Sequence, residues 1–529
     1  MSQVNNYVQP VSVGGTGDNG LANQQTVTRQ GHLEVEIKAP VMPFGSVHVE
    51  SMNILCQSDG VYGINAGQSN LFASGSGASS GANALLTVST GTTVNSKSQI
   101  ESRKRLRYRP GQGLVARYTA MFPSGGVASS EQFVGLDNEE NSIGVGYSGT
   151  SFGLIYKKNG KRQINTLTIT TKSSTAESIT ITLNSVAYSV PVTNGANTQK
   201  TAYEISTFVG YVNWKAMQIG STVIFVSDVA GPLAGTFTLS AATTAVGTFA
   251  TTLAGVATTD VFIAKSAWNG DTLDGSNTTA NPSGFTLDVT KLNIFQIGVQ
   301  YLGAGVITLD VAVITPRNDF NWARCHTILN PNTLTVPNFS NPVFPWKNKV
   351  FSTGSTTDLT VSSASYCLFS EGNKFLQGNR FTFQKTITTV TAAAYQCLFT
   401  FRSDYEYQTK ASQVVINIMS ISAAIKHTNA VTFYLIRNAT LVGNPAFAKW
   451  ASARSACSVD TTATTCTFAT NDQILWSGQV GPDGNQFYDL FSENEHIAIQ
   501  PGETFTLAAI ATTGTPAFVS ASLNTREDQ

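Results

Sequence analysis

Residues 102–162 begin with Ser102-Arg103-Lys104-Arg105-Leu106-Arg107-Tyr108-Arg109-Pro110-Gly111-Gln112-Gly113, continue with Leu114-Val115-Ala116-Arg117-Tyr118-Thr119-Ala120-Met121-Phe122, and end near Gly144-Val145-Gly146-Tyr147-Ser148-Gly149-Thr150-Ser151-Phe152-Gly153-Leu154-Ile155-Tyr156-Lys157-Lys158. Successive side chains of a strand point to opposite faces, which places Leu114, Ala116 and Tyr118 together on one side. Pro110 stiffens a turn that two glycines flank. The stretch therefore predicts three β-strands joined by Gly/Pro turns.

The composition of the whole chain agrees with this local pattern. Charged residues make up 12% of the 529 residues, about half of the ~25% that is usual in soluble domains. Ser, Thr, Asn, Gly and Ala take their place, and the residues that fill helix surfaces are scarce. We therefore expect a mainly β protein of serial β-sandwich or jelly-roll-like domains, about three in number because the chain is too long for one core.

The charges balance, with 32 Lys and Arg against 32 Asp and Glu. A domain that grips nucleic acid usually carries a broad basic excess, so we expect no nucleic-acid partner. A net charge near zero favours association. This fits a subunit of a large assembly better than a freely diffusing enzyme.

Residues 1–35 precede the first folded unit. They are polar and Gly-rich and cannot form a core alone. We expect an extended arm that orders against a neighbouring subunit; a disordered tail is the alternative. The chain starts without the basic and apolar regions of a signal peptide, and no stretch reaches the ~18 apolar residues of a membrane span. We therefore expect a protein that is made in the cytosol and stays soluble or assembles there.

Two β-sandwiches and one insertion account for the rest of the chain. Strand patterns predict a first, discontinuous sandwich over residues 36–162 and 259–348. Short strands between Pro/Gly turns predict a C-terminal sandwich over residues 349–529. Four prolines between positions 331 and 345 predict an extended linker between the two sandwiches.

Residues 163–258 predict a small α+β module inserted into the first sandwich. Apolar residues alternate with Thr over Ile179–Leu183, whereas Thr198–Val212 repeats apolar side chains at helical spacing. Thr201 and Glu204 have the spacing of a capping box. The predicted order of elements is ββαββ.

Six cysteines are present, and no two have CxxC spacing, which argues against a zinc site. Cys457 and Cys466 flank a Thr-rich segment, so they could face each other across a hairpin and form a disulfide. The alternative is six reduced and mostly buried thiols.

Two motifs suggest phosphate binding. Gly144-Val145-Gly146-Tyr147-Ser148-Gly149 matches GxGxxG, but a strand pattern follows where the dinucleotide fingerprint needs a helix, so we expect no nucleotide. Arg103–Arg109 is a basic block, beside which Tyr108 and Tyr118 could stack on bases. A protein interface or a solvated face is the favoured interpretation of this block. Four further basic residues belong with it: Lys157, Lys158, Lys161 and Arg162.

The remaining chemically reactive residues form no catalytic signature, so we expect no catalytic site, metal site or cofactor. None of the five histidines, His32, His48, His326, His427 and His496, has an HxH or HxxxH partner. Two acidic loops could offer oxygen ligands to Ca²⁺ or a glycosidase pair, although Asp in loops more often forms turns. They contain Asp137, Glu139 and Glu140, and Asp271 and Asp274. Tyr405, Tyr407 and Trp450 could stack on sugars or pack in the core.

Several stretches resemble virion structural proteins of large double-stranded DNA viruses, including tailed phages and algal or amoebal giant viruses. They are Arg107-Tyr108-Arg109-Pro110-Gly111-Gln112-Gly113, Gly144-Val145-Gly146-Tyr147-Ser148-Gly149-Thr150-Ser151-Phe152-Gly153, Trp268-Asn269-Gly270-Asp271 and Asn281-Pro282-Ser283-Gly284-Phe285. Residues 179–235 look like a module inserted in phage tail and other virion proteins. Pro501-Gly502-Glu503-Thr504 looks like part of their distal β-sandwich.

The resemblance covers about residues 100–345 and implies a structural subunit of the virion surface: a minor capsid, spike, fibre or tail component. It implies a homo-oligomer, for which we expect a trimer, with other capsid or tail proteins as partners and a host-surface glycan as a receptor. It brings no catalytic residues. The alternatives are a lectin-like carbohydrate-binding protein and, less favoured, a glycoside hydrolase.

Overall fold

The computed structural model describes residues 52–241, 243–314, 318–372, 378–388, 390–451, 454–491, 497–514 and 518–528. The predicted N-terminal arm lies outside these residues. The structure is 56% strand and 4% helix, which confirms the predicted mainly β fold of serial sandwich domains.

Ten strands form the first part of the first sandwich. They are β1 (Met52–Asp59), β2 (Ser69–Ser74), β3 (Ala78–Ala82), β4 (Leu85–Ser89), β5 (Ser96–Ser102), β6 (Leu106–Arg107), β7 (Leu114–Ala120), β8 (Ser130–Asp137), β9 (Ser142–Ser148) and β10 (Ser151–Lys158).

The inserted module follows. Its elements are β11 (Arg162–Thr171), β12 (Glu177–Leu183), β13 (Val186–Val192), α1 (Thr198–Ser206), β14 (Trp214–Ile219), β15 (Thr222–Ala230), β16 (Thr238–Ser240) and β17 (Val246–Leu253). They pair as two small sheets, β14-β15-β11-β17 and β13-β12-β16. The module therefore has three strands before the helix and four after it, instead of the predicted two and two.

The chain then returns to the first sandwich. It adds β18 (Thr259–Ala264), a 3₁₀ turn (Lys265–Ala267), β19 (Asn293–Val299), β20 (Ile307–Ile314), β21 (Phe320–Ile328), β22 (Val343–Phe344), β23 (Trp346–Ser352), β24 (Thr360–Ser363) and β25 (Ser365–Glu371). A six-stranded sheet, β1-β25-β7-β19-β20-β21, and a seven-stranded sheet, β18-β10-β9-β8-β23-β5-β2, enclose one core. β7 lies inside the first of these sheets, and its Leu114, Ala116 and Tyr118 are buried in that core.

The predicted end of the first sandwich at residue 348 is too early. β23 pairs with both β5 and β8, and β25 pairs with both β1 and β7. The sandwich therefore extends to Glu371, and the proline-rich stretch before β23 is not the linker between the two sandwiches. Local pattern shows that a strand is present, but only tertiary pairing shows which sheet receives it.

The helix of the module is shorter than predicted and has a different cap. It ends at Ser206, and the side chain of Asn197 accepts a hydrogen bond from the Lys200 N–H as the N-cap. Thr201 instead accepts from the Ser173 N–H, and Glu204 accepts from Thr193. Both side chains therefore tie the helix to its neighbours. No helix among the described residues has the length and apolar character to cross a membrane.

The C-terminal sandwich contains β26 (Asn379–Ile387), β27 (Tyr395–Ser403), β28 (Glu406–Tyr407), β29 (Lys410–Ala411), β30 (Val415–Lys426), β31 (Val431–Arg437), β32 (Thr440–Gly443), β33 (Ala448–Lys449), β34 (Cys457–Asp460), β35 (Ala463–Thr467), a 3₁₀ turn (Asn471–Gln473), β36 (Ile474–Val480), β37 (Asn485–Asp489), β38 (Ala498–Ile499), β39 (Thr504–Ala511) and β40 (Phe518–Asp528). Its first sheet has the order β26-β40-β30-β37, and its second has the order β32-β35-β27-β39-β31-β36. A separate core lies between them.

The module is bonded to the C-terminal sandwich. Arg402 donates a hydrogen bond to the Gln218 carbonyl (2.6 Å), and the Phe447 N–H donates to the Gln218 side chain (2.9 Å). The Gly220 N–H donates to the Phe447 carbonyl (2.8 Å). Tyr203 of α1 packs against a small apolar cluster of the same sandwich. The inserted module, which is an insertion in the first sandwich, is therefore held against the C-terminal sandwich by hydrogen bonds and apolar contacts.

A buried ionic network lies on the outer face of the seven-stranded sheet. Lys347 Nζ lies 2.5 Å from Glu139 Oε1 and 3.3 Å from Glu101 Oε2, and its side chain is 1% exposed. Lys349, 8% exposed, pairs with Asp137. Because side chains alternate along β23, these lysines point away from the core, which receives Trp346 and Val350 instead. Residues of the inserted module, among them 213, 229 and 230, close over the network.

The network holds its members in the charged state. Burial raises the pKa of Asp137 and Glu139, but the ammonium group of Lys347 and its neighbouring lysines outweigh burial and hold both carboxyl pKa values below the usual range. Burial likewise lowers the pKa of Lys347 and Lys349, and the surrounding carboxylates more than reverse this, so the net pKa is raised.

Replacing Lys347 by Met tests the structural role of the network. We expect the free energy of unfolding to fall by about 3 kcal/mol, because Glu139 and Glu101, with side chains 16% and 14% exposed, would be left partly buried without their main partner. Lys161→Met is the matched control, since Lys161 is exposed, and we expect a change within about 0.5 kcal/mol. Chemical denaturation of both variants provides the measurement, and equal midpoints would contradict the assigned role.

The depressed carboxyl pKa values also predict an acid-sensitive fold. A carboxyl whose pKa is lower in the folded state stabilises the protein above its unfolded pKa of about 4. That contribution is lost as the pH falls through the folded pKa. We therefore expect the free energy of unfolding to drop steadily below about pH 4. In Lys347→Met the slope over this range should be flatter; an unchanged slope would place the titrating groups elsewhere.

Candidate functional site

Three cations of the basic block and its companion residues form ion pairs with acids of the same chain. Arg103 pairs with Glu503 of the C-terminal sandwich, and Arg105 lies 3.5 Å from Glu101. Lys157 Nζ lies 2.6 Å from Glu131. These residues are partly buried at the junction of the units, so neither a nucleic-acid stripe nor a solvated face describes them.

The two tyrosines of this region form no stacking platform. Tyr118 is buried in the core. Tyr108 packs edge-on against Tyr301 at 4.8 Å between ring centroids, and its hydroxyl accepts from the Leu302 N–H. Both rings are therefore occupied by contacts within the first sandwich.

The GxGxxG stretch is a β-hairpin. Gly144 and Gly146 lie in β9, which pairs with β8 and β10. A Cβ atom at Gly144 would lie 2.5 Å from the Phe133 ring, and one at Gly146 would lie 1.8 Å from the Gln132 carbonyl oxygen. These glycines allow close packing within the sheet, and no helix N-terminus follows them to hold a pyrophosphate.

Both acidic loops are engaged by the chain itself. Asp271 accepts from the N–H groups of Leu273 (2.8 Å) and Ser283 (2.9 Å). Asp274 accepts from the Ser276 N–H and from the Asn281 side chain. These are turn-forming contacts. In the other loop, Asp137 and Glu139 belong to the ionic network, and Glu140 accepts from the Arg162 N–H (3.1 Å). Within the described ranges, no group of three or more His, Cys, Asp or Glu could hold a metal ion.

The histidines and cysteines that can be placed are structural. His326 Nδ1 accepts from the Asn269 N–H (3.1 Å), and burial lowers the pKa of this histidine. Burial raises the pKa of its neighbour Cys325. His427 contacts the Thr513 carbonyl (2.7 Å). The other histidines, His32, His48 and His496, lie outside the described residues.

All six cysteines are described and none is bonded. Cys457 lies opposite Ser403 and Cys466 lies opposite Tyr395, so the suggested hairpin pair does not form. In space, the thiol of Cys466 lies beside the thiol of Cys397. The hydrogen bond between these two thiols and their burial raise the pKa of Cys397.

The three aromatic residues suggested for sugar stacking do not share an exposed face. Trp450 packs edge-on against Phe383, with ring centroids 4.7 Å apart. Tyr405 lies beside Lys215 of the module, whose ammonium group is 5.7 Å from the ring centroid. Tyr407 accepts a hydrogen bond from Gln408. Core and interface packing therefore account for Trp450 and Tyr405.

A different surface of the C-terminal sandwich has the features of a binding site. It is the central part of the outer face of the sheet β26-β40-β30-β37, which we call the neutral face; Arg380 and Arg526 lie opposite each other in the row beyond it. Strand register aligns its side chains in three rows of four. The rows are Thr382, Asn524, Ser420 and Asp489; Gln384, Ser522, Ser422 and Phe487; and Thr386, Ser520, Ala424 and Asn485. Apart from Asp489 at one edge, no member carries a charge.

Hydrogen bonds order the polar groups of the neutral face. Thr382 Oγ1 donates to Asn524 Oδ1 (2.6 Å), and Asn524 Nδ2 donates to Ser420 Oγ (2.8 Å). Thr386 Oγ1 donates to Ser520 Oγ (2.9 Å). Hydroxyl and amide groups retain further donor and acceptor capacity after these bonds. The face is therefore a preorganised array of neutral hydrogen-bonding groups.

One aromatic ring stands at the edge of this array. Phe487 is 64% exposed, while its neighbour Tyr488 points the other way and packs against Trp476 at 4.8 Å. Phe487, Gln384, Ser422 and Ser522 border a shallow depression of about 320 Å³. A large exposed aromatic side chain beside ordered hydroxyls is the combination that contacts amphipathic ligands.

The comparisons with known proteins identify no family. No family model and no curated protein matches the chain. Among solved structures, a protein of unknown function from Shewanella oneidensis MR-1 is 7% identical, with 60% of this chain and 86% of that chain covered and a TM-score of 0.25. An engineered GH43 glycoside hydrolase is 8% identical, with 66% and 47% covered and a TM-score of 0.22. The botulinum neurotoxin serotype D binding domain is 6% identical, with 85% and 91% covered and a TM-score of 0.22. Similarity at this level carries no argument about function.

Proposed function

We propose that this protein is a non-catalytic structural subunit of a virion surface, in a minor capsid, spike, fibre or tail component, and that its C-terminal sandwich binds neutral host glycans. The neutral face is the observation that carries the binding part of the proposal. The resemblance of residues 100–345 to virion structural proteins, the 12% charge content and the zero net charge support the structural part.

Neutral sugars match the neutral face in chemistry. Each sugar ring offers hydroxyl groups that both donate and accept hydrogen bonds, and these complement Ser, Thr, Asn and Gln side chains. The apolar C–H face of a sugar can pack on an aromatic ring such as Phe487. Within the three rows, a charged ligand would find only the carboxylate of Asp489; the cationic side chains of this face, Arg380, Arg526 and Lys426, lie beyond the rows.

A binding role is favoured over glycoside hydrolysis. Hydrolysis needs two carboxyl groups facing each other across a groove, one of them with a raised pKa. Asp137 and Glu139 are ion-paired with lysines and have lowered pKa values. Asp271 and Asp274 accept hydrogen bonds within their own loop. The acids that the sequence offers are thus engaged in stabilising the structure.

A glycan array tests the binding part. We expect wild-type protein to bind a subset of uncharged glycans, and Phe487→Ala to lower those signals at least tenfold, because the ring supplies the stacking surface. The thermal midpoint should stay unchanged, since the ring is 64% exposed. Phe320→Ala is the matched control, since Phe320 is 65% exposed and lies in β21 of the first sandwich. A flat wild-type array, or equal losses in both variants, would contradict the proposal.

Light scattering after gel filtration tests the structural part. We expect the purified protein to form a stable homo-oligomer with a mass near three times the subunit mass of 56.2 kDa. Phe487→Ala should have the same mass, which would separate assembly from glycan binding. A monomer at every concentration would argue against a self-assembling surface subunit.

A further inference from the structure

A charged cavity of about 340 Å³ lies where the first sandwich, the inserted module and the C-terminal sandwich meet. β5 and β23 contribute Glu101 and Lys347, the module contributes Lys215, and the C-terminal sandwich contributes Gln413 and Gln500. None of the functions proposed above uses this cavity.

Positive charge exceeds negative charge in its lining. Six lining residues are cationic: Lys97, Arg103, Arg105, Arg162, Lys215 and Lys347. Four are anionic: Glu101, Glu139, Asp228 and Glu503. A recessed site with two more cations than anions attracts an anionic ligand.

The four acids are already paired with particular cations. Glu101 and Glu139 contact Lys347, and Glu101 also contacts Arg105. Asp228 lies 3.6 Å from Lys215, and Glu503 pairs with Arg103. Among the described residues, none forms an ion pair with the side chain of Arg162, although this residue is only 8% exposed.

Buried polar atoms around the cavity lack partners within the described part of the chain. They include the Nε donors of Arg105 and Arg162 and the Oε1 acceptors of Gln99, Gln413 and Gln500. Gln413 and Gln500 are 6% and 9% exposed. Leaving such groups without partners is costly, so their concentration around one cavity indicates that something else satisfies them.

The electrostatics of Arg105 agree with an anion at this position. Burial lowers the pKa of Arg105, Glu101 acts in the opposite direction, and the guanidinium groups of Arg162 and Arg107 lower it further. Like charges that are buried together are stabilised by a counter-ion placed between them.

We propose that this cavity binds a small oxyanion of the phosphate or sulfate type, held by Arg162 and Arg105. Guanidinium groups present paired N–H donors that match the spacing of oxyanion oxygens. The oxyanion satisfies the two guanidinium Nε donors directly. It satisfies Gln413 and Gln500 once their amides rotate to present NH₂ in place of Oε1, since two acceptors cannot bond each other. Because the ligating groups come from all three units, the bound anion joins them and stabilises their arrangement.

Thermal unfolding in the presence of inorganic phosphate tests this site. We expect the midpoint of the full-length protein to rise with phosphate or sulfate at low millimolar concentration and to rise less in chloride at equal ionic strength. Kosmotropic anions stabilise any folded protein at high concentration, so the part that reports the site is the saturable rise that wild type shows and the cavity variant lacks. Arg162→Gln should weaken the apparent phosphate affinity at least tenfold. Arg380→Gln is the control, since Arg380 is exposed outside the cavity, and it should respond as wild type does.

A second variant keeps the test informative if Arg162→Gln fails to fold. Lys215 lines the cavity with a side chain that is 44% exposed, so Lys215→Gln should fold and should weaken phosphate binding by at least threefold. An equal rise in chloride and phosphate, or equal responses from wild type and the variant that folds, would overturn the proposal. Glycan binding by the neutral face should be unaffected in either variant.

Discussion

The buried pairing of Lys347 and Lys349 with the carboxylates of Glu101, Asp137 and Glu139 is the constraint on which the remaining structure depends. These charges lie on the outer face of a sheet and not in its core. Charges removed from water are tolerated only when they are paired and hydrogen-bonded. β23 must therefore lie between β5, which carries Glu101, and β8, which ends at Asp137 and leads to Glu139. The inserted module packs over this face. It can do so only when the charges beneath it are paired, so the pairing also controls how the module joins the first sandwich.

Many of the charged residues lie between strands or between units, which leaves few of them for the outer surface. Only 12% of the residues are charged, and several of them pair between β5, β8 and β23 or across units, as Arg103 does with Glu503. The C-terminal sandwich can then present the neutral face, which has one acid at its edge. The concentration of charged residues at the junctions also produces the charged cavity, whose lining contains more cations than anions. Binding at the two places would depend on different physics: stacking and neutral hydrogen bonds on the face, and Coulombic attraction in the cavity.

Little of the candidate site could be predicted from sequence. Trp450 and Tyr405 are aromatic residues near turns, a pattern that suits both packing and exposure, and the tertiary structure uses them for contacts. Phe487 gave one weak signal: it is adjacent to Tyr488, and neighbours on a strand point to opposite faces, so one of the two must leave the core. The sequence does not say which one leaves, because that depends on the register between β37 and β30.

The sequence by itself determined the mainly β class, the strand that begins at Leu114 and the existence of an inserted module with a helix. These follow from alternation, helical periodicity and turn chemistry, which are local properties of the chain. Only the tertiary structure decided that the first sandwich extends to Glu371, that the basic block faces acids of the same chain, and that three rows of polar side chains form one face. Those features depend on which distant strands pair and in which register, and the energies that select them come from burial and charge pairing between residues far apart in the chain.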